Sequence, residues 1–117
     1  MHEMSLAINI LNTAQTEAVK HGATRLTLVQ VRYGCLANMQ PEAMQMAFSA
    51  LILDTPHFNA KLILVEEKLR LRCYLCSHIF QALGREDMFG LCPACGKSAS
   101  YFVEAGEGIF LDHLEAE

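Results

Sequence analysis

The pattern of apolar and polar residues predicts an amphipathic helix near the start of the chain. Its apolar face is formed by residues at three- and four-residue spacing: Ala7, Leu11, Ala14 and Ala18. The helix is predicted to run from Ser5 to about His21, because Gly22 follows as a natural helix end. One face of this helix is therefore expected to pack against a core.

A strand and a second helix are predicted next. Residues 26–33 are rich in β-branched and aromatic side chains and are closed by Gly34, which is typical of a strand. Pro41 suits the first turn of a helix. Behind it, apolar residues at i, i+3, i+4 and i+7 form a stripe: Met44, Ala47, Phe48 and Leu51. The helix is predicted to end near Pro56, because a proline disfavours helical geometry in the residue before it.

The second half of the chain contains shorter extended segments. Residues 60–65 and the alternating stretch 69–73 are predicted strands. Two more short strands are predicted near residues 101–103 and 109–111, separated by glycines. The last strand is expected to return to the sheet that the first two strands begin.

Four of the five cysteines form two pairs with the spacing of metal ligands. Cys73 and Cys76, then Cys92 and Cys95, follow the pattern C-x2-C, fifteen residues, C-x2-C. Each pair can present two sulfurs to one tetrahedral zinc ion, and four thiolates leave no open position for water. The spacing therefore predicts structural zinc, with a redox pair, a chance arrangement or an iron site as the alternatives.

Four further residues bear on the assignment of the cysteine site. Gly96 follows the second pair and tolerates unusual backbone angles, whereas Ser77 follows the first pair and lacks that freedom. His78 lies two residues after Cys76, where it is either an ordinary surface histidine or a group that contacts the zinc site. Cys35 has no cysteine at ligand spacing and is expected to be dispensable for metal binding.

The cysteine pairs interrupt a larger domain. The segments predict an α+β fold, in which a small mixed three-stranded sheet packs with two helices and a zinc-ribbon-like module is inserted. The α/β domain is expected to comprise residues 1–70 and 101–117, and the zinc-binding module residues 71–100. A chain of 117 residues accommodates this arrangement but not two large domains.

Composition excludes several classes of partner. Nine Lys and Arg stand against thirteen Asp and Glu, a poor balance for neutralising nucleic-acid phosphates. No apolar run approaches the roughly 20 residues that span a bilayer, and the first residues lack a signal-peptide pattern. The sequence therefore predicts a cytoplasmic protein with neither nucleic-acid nor membrane partners.

The amino terminus offers a nitrogen-rich candidate metal site. Met1, His2 and Glu3 precede the first helix, where a terminal amine, backbone nitrogens and an imidazole can converge on one ion. Nickel(II) accepts such square-planar or tetragonal surroundings. By itself, however, a histidine at position 2 more often has no metal role.

Several segments together resemble the HypA/HybF family of hydrogenase maturation nickel metallochaperones. They are residues 1–6, 29–34 and 41–48 followed by the paired cysteines, in family order over nearly the whole chain. The opening tripeptide combined with the cysteine module is the specific part. The resemblance implies a non-enzymatic protein that binds nickel at its amino terminus, carries structural zinc, and helps load nickel into [NiFe] hydrogenase or, in some relatives, urease.

The resemblance also implies site residues and partners. At matching positions, His2 would supply its imidazole and backbone nitrogen to nickel, and Glu3 its backbone nitrogen, beside Met1. The implied partners are the nickel-handling GTPase HypB, the [NiFe] hydrogenase large-subunit precursor and, in some relatives, a second copy of the chain. Met39 and Gln40 stand where some relatives carry an acidic residue near nickel, which leaves a fourth protein ligand open.

Two other functions are left open by the sequence. A zinc-ribbon adaptor that binds a protein partner would have no specific nickel site, and His2 would be incidental. An enzyme or thiol redox switch would use the cysteines directly. The chain lacks a nucleophile–base motif and a Gly-rich phosphate loop, which disfavours both an enzyme and a thiol redox switch as the function of the chain.

Overall fold

The structure, a computed structural model, describes residues 2–98 and 100–117. Its elements in chain order are α1 (Glu3–Lys20), β1 (Leu26–Gly34), α2 (Pro41–Ile52), β2 (Lys61–Glu67), β3 (Arg70–Cys73), β4 (Ile79–Gln81), a short 3-10 helix (Arg85–Phe89), β5 (Tyr101–Ala105) and β6 (Ile109–Ala116). The α+β class and both predicted helices are confirmed. No helix of the described residues is long and apolar enough to cross a membrane.

The strands form two three-stranded sheets. One has the order β2-β1-β6, so the last strand returns to the sheet begun by the first two, as predicted. The other has the order β4-β3-β5, and both β4 and β5 run antiparallel to β3. The second sheet was not expected, because β4 is three residues long and carries no alternating pattern that predicts a strand.

The chain divides into two compact units. The first comprises the residues up to Arg32, Met39–Val65 and Phe110–Glu117, and the second comprises Tyr33–Asn38 and Glu66–Ile109. The separation of a nickel-binding domain from a zinc-binding module stays a prediction, because a division by contacts does not say what each unit binds.

In the first unit, α1 and α2 pack against each other through the apolar faces that their spacing predicts. The buried residues of the two helices include Ala7, Leu11, Ala14, Ala18, Met44, Ala47 and Phe48. The predicted stripe of α2 is wrong at its last position, where Leu51 is half-buried and Ile52 is buried instead. Burial of the larger side chains, Leu11, Met44 and Phe48, contributes about 1.5–3 kcal/mol each, so this packing stabilises the unit.

His57 has a structural role in the same unit. It is buried, and its Nδ1 accepts a hydrogen bond of 3.0 Å from the Leu26 N–H at the start of β1. The bond satisfies a backbone donor that would otherwise be buried without a partner.

In the second unit, β3 is the central strand of the sheet and contributes Leu71 to the core of the unit. Leu69, Leu71 and Ala82 form its buried cluster. The partly buried residues packed against that cluster are Cys35, Leu36, Phe80, Met88, Tyr101 and Val103. This core is small, so the unit has few apolar contacts to offset the entropy of folding.

Candidate metal centre

The four paired cysteines converge in the second unit. Their sulfur atoms all lie within 4.8 Å of one another. The Sγ atoms of Cys73 and Cys95 are 3.9 Å apart, and those of Cys76 and Cys92 are 3.6 Å apart. Zn–S bonds of about 2.3 Å in a tetrahedron place the sulfurs about 3.8 Å apart. The spacing of the sulfurs therefore fits one tetrahedral zinc ion.

A tight backbone loop, residues 73–78, presents the first cysteine pair. The Ser77 N–H donates a hydrogen bond of 2.9 Å to the Cys73 carbonyl, and the Cys73 N–H donates one of 2.9 Å to the His78 carbonyl. These two bonds close the loop. The sulfurs of Cys73 and Cys76 can then face one ion.

The second loop, residues 92–97, repeats the same pattern. The Gly96 N–H donates to the Cys92 carbonyl at 2.8 Å, and the Cys92 N–H donates to the Lys97 carbonyl at 3.1 Å. In addition, the Ala94 and Cys95 N–H groups point to the Cys92 sulfur at 3.4 and 3.5 Å. The two cysteine pairs are thus held by two copies of one turn.

The pKa values of Cys92 and Cys76 are shifted in opposite directions. The Cys95 N–H is the largest cause that lowers the pKa of Cys92, to about 6, although burial opposes it. At Cys76 the His78 N–H lowers the pKa, but burial and the three neighbouring sulfurs together raise it to about 11. Four adjacent thiolates repel one another unless a cation lies among them. The donor set therefore suits a divalent metal ion.

Tyr101 supports the cysteine cluster from β5. Its backbone pairs with Cys73, and its hydroxyl donates a hydrogen bond of 2.8 Å to the Gly90 carbonyl, just before the second loop. Its ring meets the Phe80 ring edge-on, with centroids 5.5 Å apart. Tyr101 therefore connects the sheet to both cysteine loops. Sequence reasoning missed this role, because no spacing rule relates a tyrosine to a distant turn.

Ser77 and Gly96 occupy equivalent positions in the two loops and share one backbone conformation. Their φ angles are 64° and 71°, in the left-handed region. This conformation costs a residue with a Cβ roughly 1–2 kcal/mol, and glycine avoids that cost. The first loop is therefore the strained one.

Ser77→Gly is expected to raise zinc affinity about fivefold, equivalent to about 1 kcal/mol. The reason is that metal binding and folding are coupled, so relief of backbone strain appears as tighter binding. Competition with a chromophoric zinc chelator measures the change. Gly96→Ser is the mirror variant and should weaken binding by a similar factor, since a Cβ there has no neighbour within 4 Å and only strain acts. Equal affinity of Ser77→Gly and wild type would contradict this account.

His78 contributes its backbone rather than its ring to the first loop. Its side chain is exposed and stacks on the Phe80 ring, with centroids 6.0 Å apart. Among residues 2–98 and 100–117, the four cysteines are the only group of three or more His, Cys, Asp or Glu close enough to share an ion. A contact between the His78 ring and a bound metal stays a prediction.

Two other histidines share a surface cavity of about 470 Å³ in the first unit. His21 and His113 line it together with Glu17 and Asp112. Their ligand atoms are not close enough to form a metal-binding group.

The amino-terminal residues lie where α1 begins. The prediction for Met1 falls outside the described residues. His2 is exposed, and its carbonyl accepts a hydrogen bond of 3.0 Å from the Leu6 N–H, the first bond of the helix. The imidazole is thus at the surface, next to the start of the chain.

Glu3 is buried, unlike His2. Its Oε2 accepts a hydrogen bond of 3.0 Å from the Gln40 N–H, at the N-cap of α2. The chain's amino group and then this N–H are the main causes that lower the pKa of Glu3, to about 2. A carboxylate at a helix N-terminus is favoured by the helix dipole. Glu3 therefore fixes the start of α1 to the start of α2 by its side chain.

Comparison with known proteins places these features in one family. The family model for HypA, described as hydrogenase/urease nickel incorporation, metallochaperone, matches residues 1–116. The chain belongs to the HypA family. The sequence resemblance to this family is therefore confirmed over the whole chain.

Individual HypA proteins match over their full length. The hydrogenase maturation factor HypA of Solidesulfovibrio magneticus is 36% identical, and that of Lawsonia intracellularis 38% identical, each over 100% of both chains. The solution structure of the nickel metallochaperone HypA from Helicobacter pylori has a TM-score of 0.70 at 27% identity, covering 99% of this chain and 97% of that chain. A further HypA solution structure has a TM-score of 0.74 at 27% identity, covering 100% and 97%.

Proposed function

We propose that the protein is a nickel metallochaperone that binds Ni(II) at its amino terminus and assists nickel insertion during [NiFe] hydrogenase maturation, with structural zinc in the four-cysteine cluster. The observation that carries the proposal is the full-length HypA match of a chain that has both the amino-terminal His2 and the convergent cysteines. The relatives are named as maturation factors and a metallochaperone rather than as enzymes. The proposed role is accordingly non-enzymatic.

The zinc part of the proposal is supported by the cysteine geometry. Cys73, Cys76, Cys92 and Cys95 would hold the ion as four thiolates at distances suited to a closed tetrahedron. A bound zinc would supply folding energy and no open coordination position. Its role is thus to stabilise the second unit.

The nickel part is supported by the surroundings of His2 and Glu3. His2 is exposed at the start of α1, whereas the Glu3 carboxylate is held by the Gln40 N–H. Nickel would bind to the His2 imidazole and to backbone nitrogens of His2 and Glu3, beside Met1. The Glu3 side chain would position that segment instead of binding the metal, and no acidic ligand is supplied at Gln40. Deprotonating backbone nitrogens costs free energy, so the site would be weak enough to release its cargo.

Partners follow from the proposed role. The nickel-handling GTPase HypB and the [NiFe] hydrogenase large-subunit precursor would exchange nickel with this protein, and a homodimer would be one of its assembly states. Maturation of a hydrogenase subunit would place the protein in the cytoplasm. Leu83 and Phe89 are 96% and 86% exposed on the second unit, and such exposed apolar side chains favour protein contacts. They equally support the alternative, a zinc-ribbon adaptor that binds a protein partner without specific nickel binding.

His2→Ala is expected to lower nickel affinity by at least about tenfold, or 1.4 kcal/mol, while zinc content and fold are unchanged. Extra residues before Met1 should weaken nickel binding as well, because they prevent the first nitrogens from closing small chelate rings. Calorimetry on zinc-loaded, untagged protein measures both effects. Affinity should fall as the pH drops, since protons compete with nickel for the same nitrogens.

His113→Ala is the matched control for this experiment. His113 is also an exposed histidine of the first unit, but its Nε2 lies 3.1 Å from Glu115 and far along the chain from the amino terminus. This variant should bind nickel like the wild type. Equal affinity in the wild type, His2→Ala and the extended form would exclude the amino-terminal site and favour the zinc-ribbon adaptor.

A further inference from the structure

The four cysteine residues differ in their access to solvent. Cys73 and Cys92 are buried, at 0% and 1% exposure, and Cys95 is half-buried. Cys76 is the exposed member. Oxidants react with thiolates in proportion to their accessibility, and zinc keeps all four cysteines as thiolates. An oxidant from solvent should therefore meet the Cys76 sulfur first.

One sulfur of the other loop lies close to the Cys76 sulfur. Cys92 Sγ lies 3.6 Å from Cys76 Sγ, closer than Cys73 is to Cys95. A disulfide bond is about 2.05 Å long, so the two atoms must approach by roughly 1.5 Å. The Ala94 and Cys95 N–H groups point to the Cys92 sulfur and fix its position in the second loop. Cys92 is therefore placed to attack an oxidised Cys76 from the other loop.

We propose that the cysteine cluster is a peroxide-sensitive zinc switch, in which Cys76 is oxidised first and Cys92 then closes a disulfide across the two loops, expelling zinc. The switch rests on the proposed zinc site. It differs from redox catalysis because no substrate is turned over. Oxidation of the cysteines instead releases the zinc ion and unfolds the structure that the ion stabilises.

The reaction needs hydrogen peroxide as its oxidant and two protons from solvent. The Cys76 thiolate attacks one peroxide oxygen, the O–O bond breaks, and a sulfenic acid and hydroxide form. The Cys92 thiolate then attacks the Cys76 sulfur, forming the S–S bond and expelling a second hydroxide. Two protons from solvent convert the hydroxides to water. Two electrons pass from the sulfurs to the peroxide, and zinc keeps only the Cys73 and Cys95 thiolates, too few for a closed site.

Tryptic mapping of zinc-loaded, full-length protein tests the switch. Cleavage after Arg72, Arg85 and Lys97 gives peptide 73–85, which carries Cys73 and Cys76, and peptide 86–97, which carries Cys92 and Cys95. After one equivalent of hydrogen peroxide, the two peptides are expected to be joined, and fragment spectra should assign the link to Cys76. A chromogenic chelator should detect release of the zinc in parallel, one ion for each disulfide formed. A thiol reductant with added zinc should restore the starting state.

Trapping with dimedone, which labels sulfenic acids, tests the order of events. The label is expected on Cys76, in a Cys35→Ala background that removes the unrelated thiol. If dimedone labelled peptide 86–97 before Cys76, the proposed order of oxidation would be overturned. Disulfide bonds within a single loop would leave the two peptides separate and would overturn the cross-loop disulfide. Zinc retained after peroxide treatment would overturn the switch. Protein purified without zinc would instead refute the zinc site itself, and the switch with it.

Discussion

Replacing Cys92 by serine is expected to remove zinc from the protein and to unfold the second unit, with Cys73→Ser giving the same result. Both cysteines are buried in the cluster, so a hydroxyl at either position leaves three thiolates and a poor fourth ligand. The apolar core of that unit is small, with Leu69, Leu71 and Ala82 as its buried cluster. Metal binding supplies on the order of 10 kcal/mol in comparable sites, more than such a core can replace.

Metal analysis and circular dichroism of the purified variants measure this effect. Zinc content should fall from one per chain to almost none, and ordered structure between about residues 70 and 100 should be lost. Cys35→Ser is the matched control, because Cys35 is a half-buried thiol of the same unit that lies outside the cluster. It should keep its zinc. Unchanged spectra and full zinc in Cys92→Ser would refute the four-thiolate assignment.

Gly34→Ala is expected to destabilise the second unit by at least about 3 kcal/mol, because its methyl group has no room. A Cβ at Gly34 would lie 2.0 Å from the Gly106 carbonyl carbon and 2.3 Å from the Glu107 nitrogen, both backbone atoms. The segment cannot move away freely, since the Gly34 N–H donates to Gly108 and the Leu36 N–H to Gly106, at 2.9 Å each. Urea denaturation of zinc-loaded protein, followed by far-UV circular dichroism, measures the loss.

Gly90→Ala is the control for the loss of a glycine as such. Its φ of −91° is open to any residue, and the nearest atom to its Cβ would be at an ordinary 3.7 Å. Its effect should stay within about 0.5 kcal/mol. Gly106→Ala should be as damaging as Gly34→Ala, because its φ is +110° and its Cβ would meet the Leu69 Cα at 2.6 Å. A Gly34→Ala protein as stable as Gly90→Ala would show that the close approach of these backbones is not required.

The sequence by itself determined the features that depend on short spacing. Helical periodicity identified α1 and α2, because a helix buries residues three and four apart whatever its neighbours are. The predicted boundaries were less accurate: α1 begins at Glu3 rather than Ser5, and β6 extends to Ala116 rather than ending near residue 111. The cysteine spacing identified four residues that the structure brings together, because two residues between cysteines make one turn with two sulfurs on the same side.

The tertiary structure alone decided the features that join distant segments. Nothing near Glu3 in the sequence indicates that its carboxylate accepts the Gln40 N–H, 37 residues away. The same holds for the Tyr101 hydroxyl on Gly90 and for the close approach of Gly34 to Gly106. These contacts exist only once the chain has folded back on itself. The energies of these contacts depend on distances between segments that are far apart in the sequence. The spacing of residues within one segment does not give those distances, so the residue types alone did not predict the contacts.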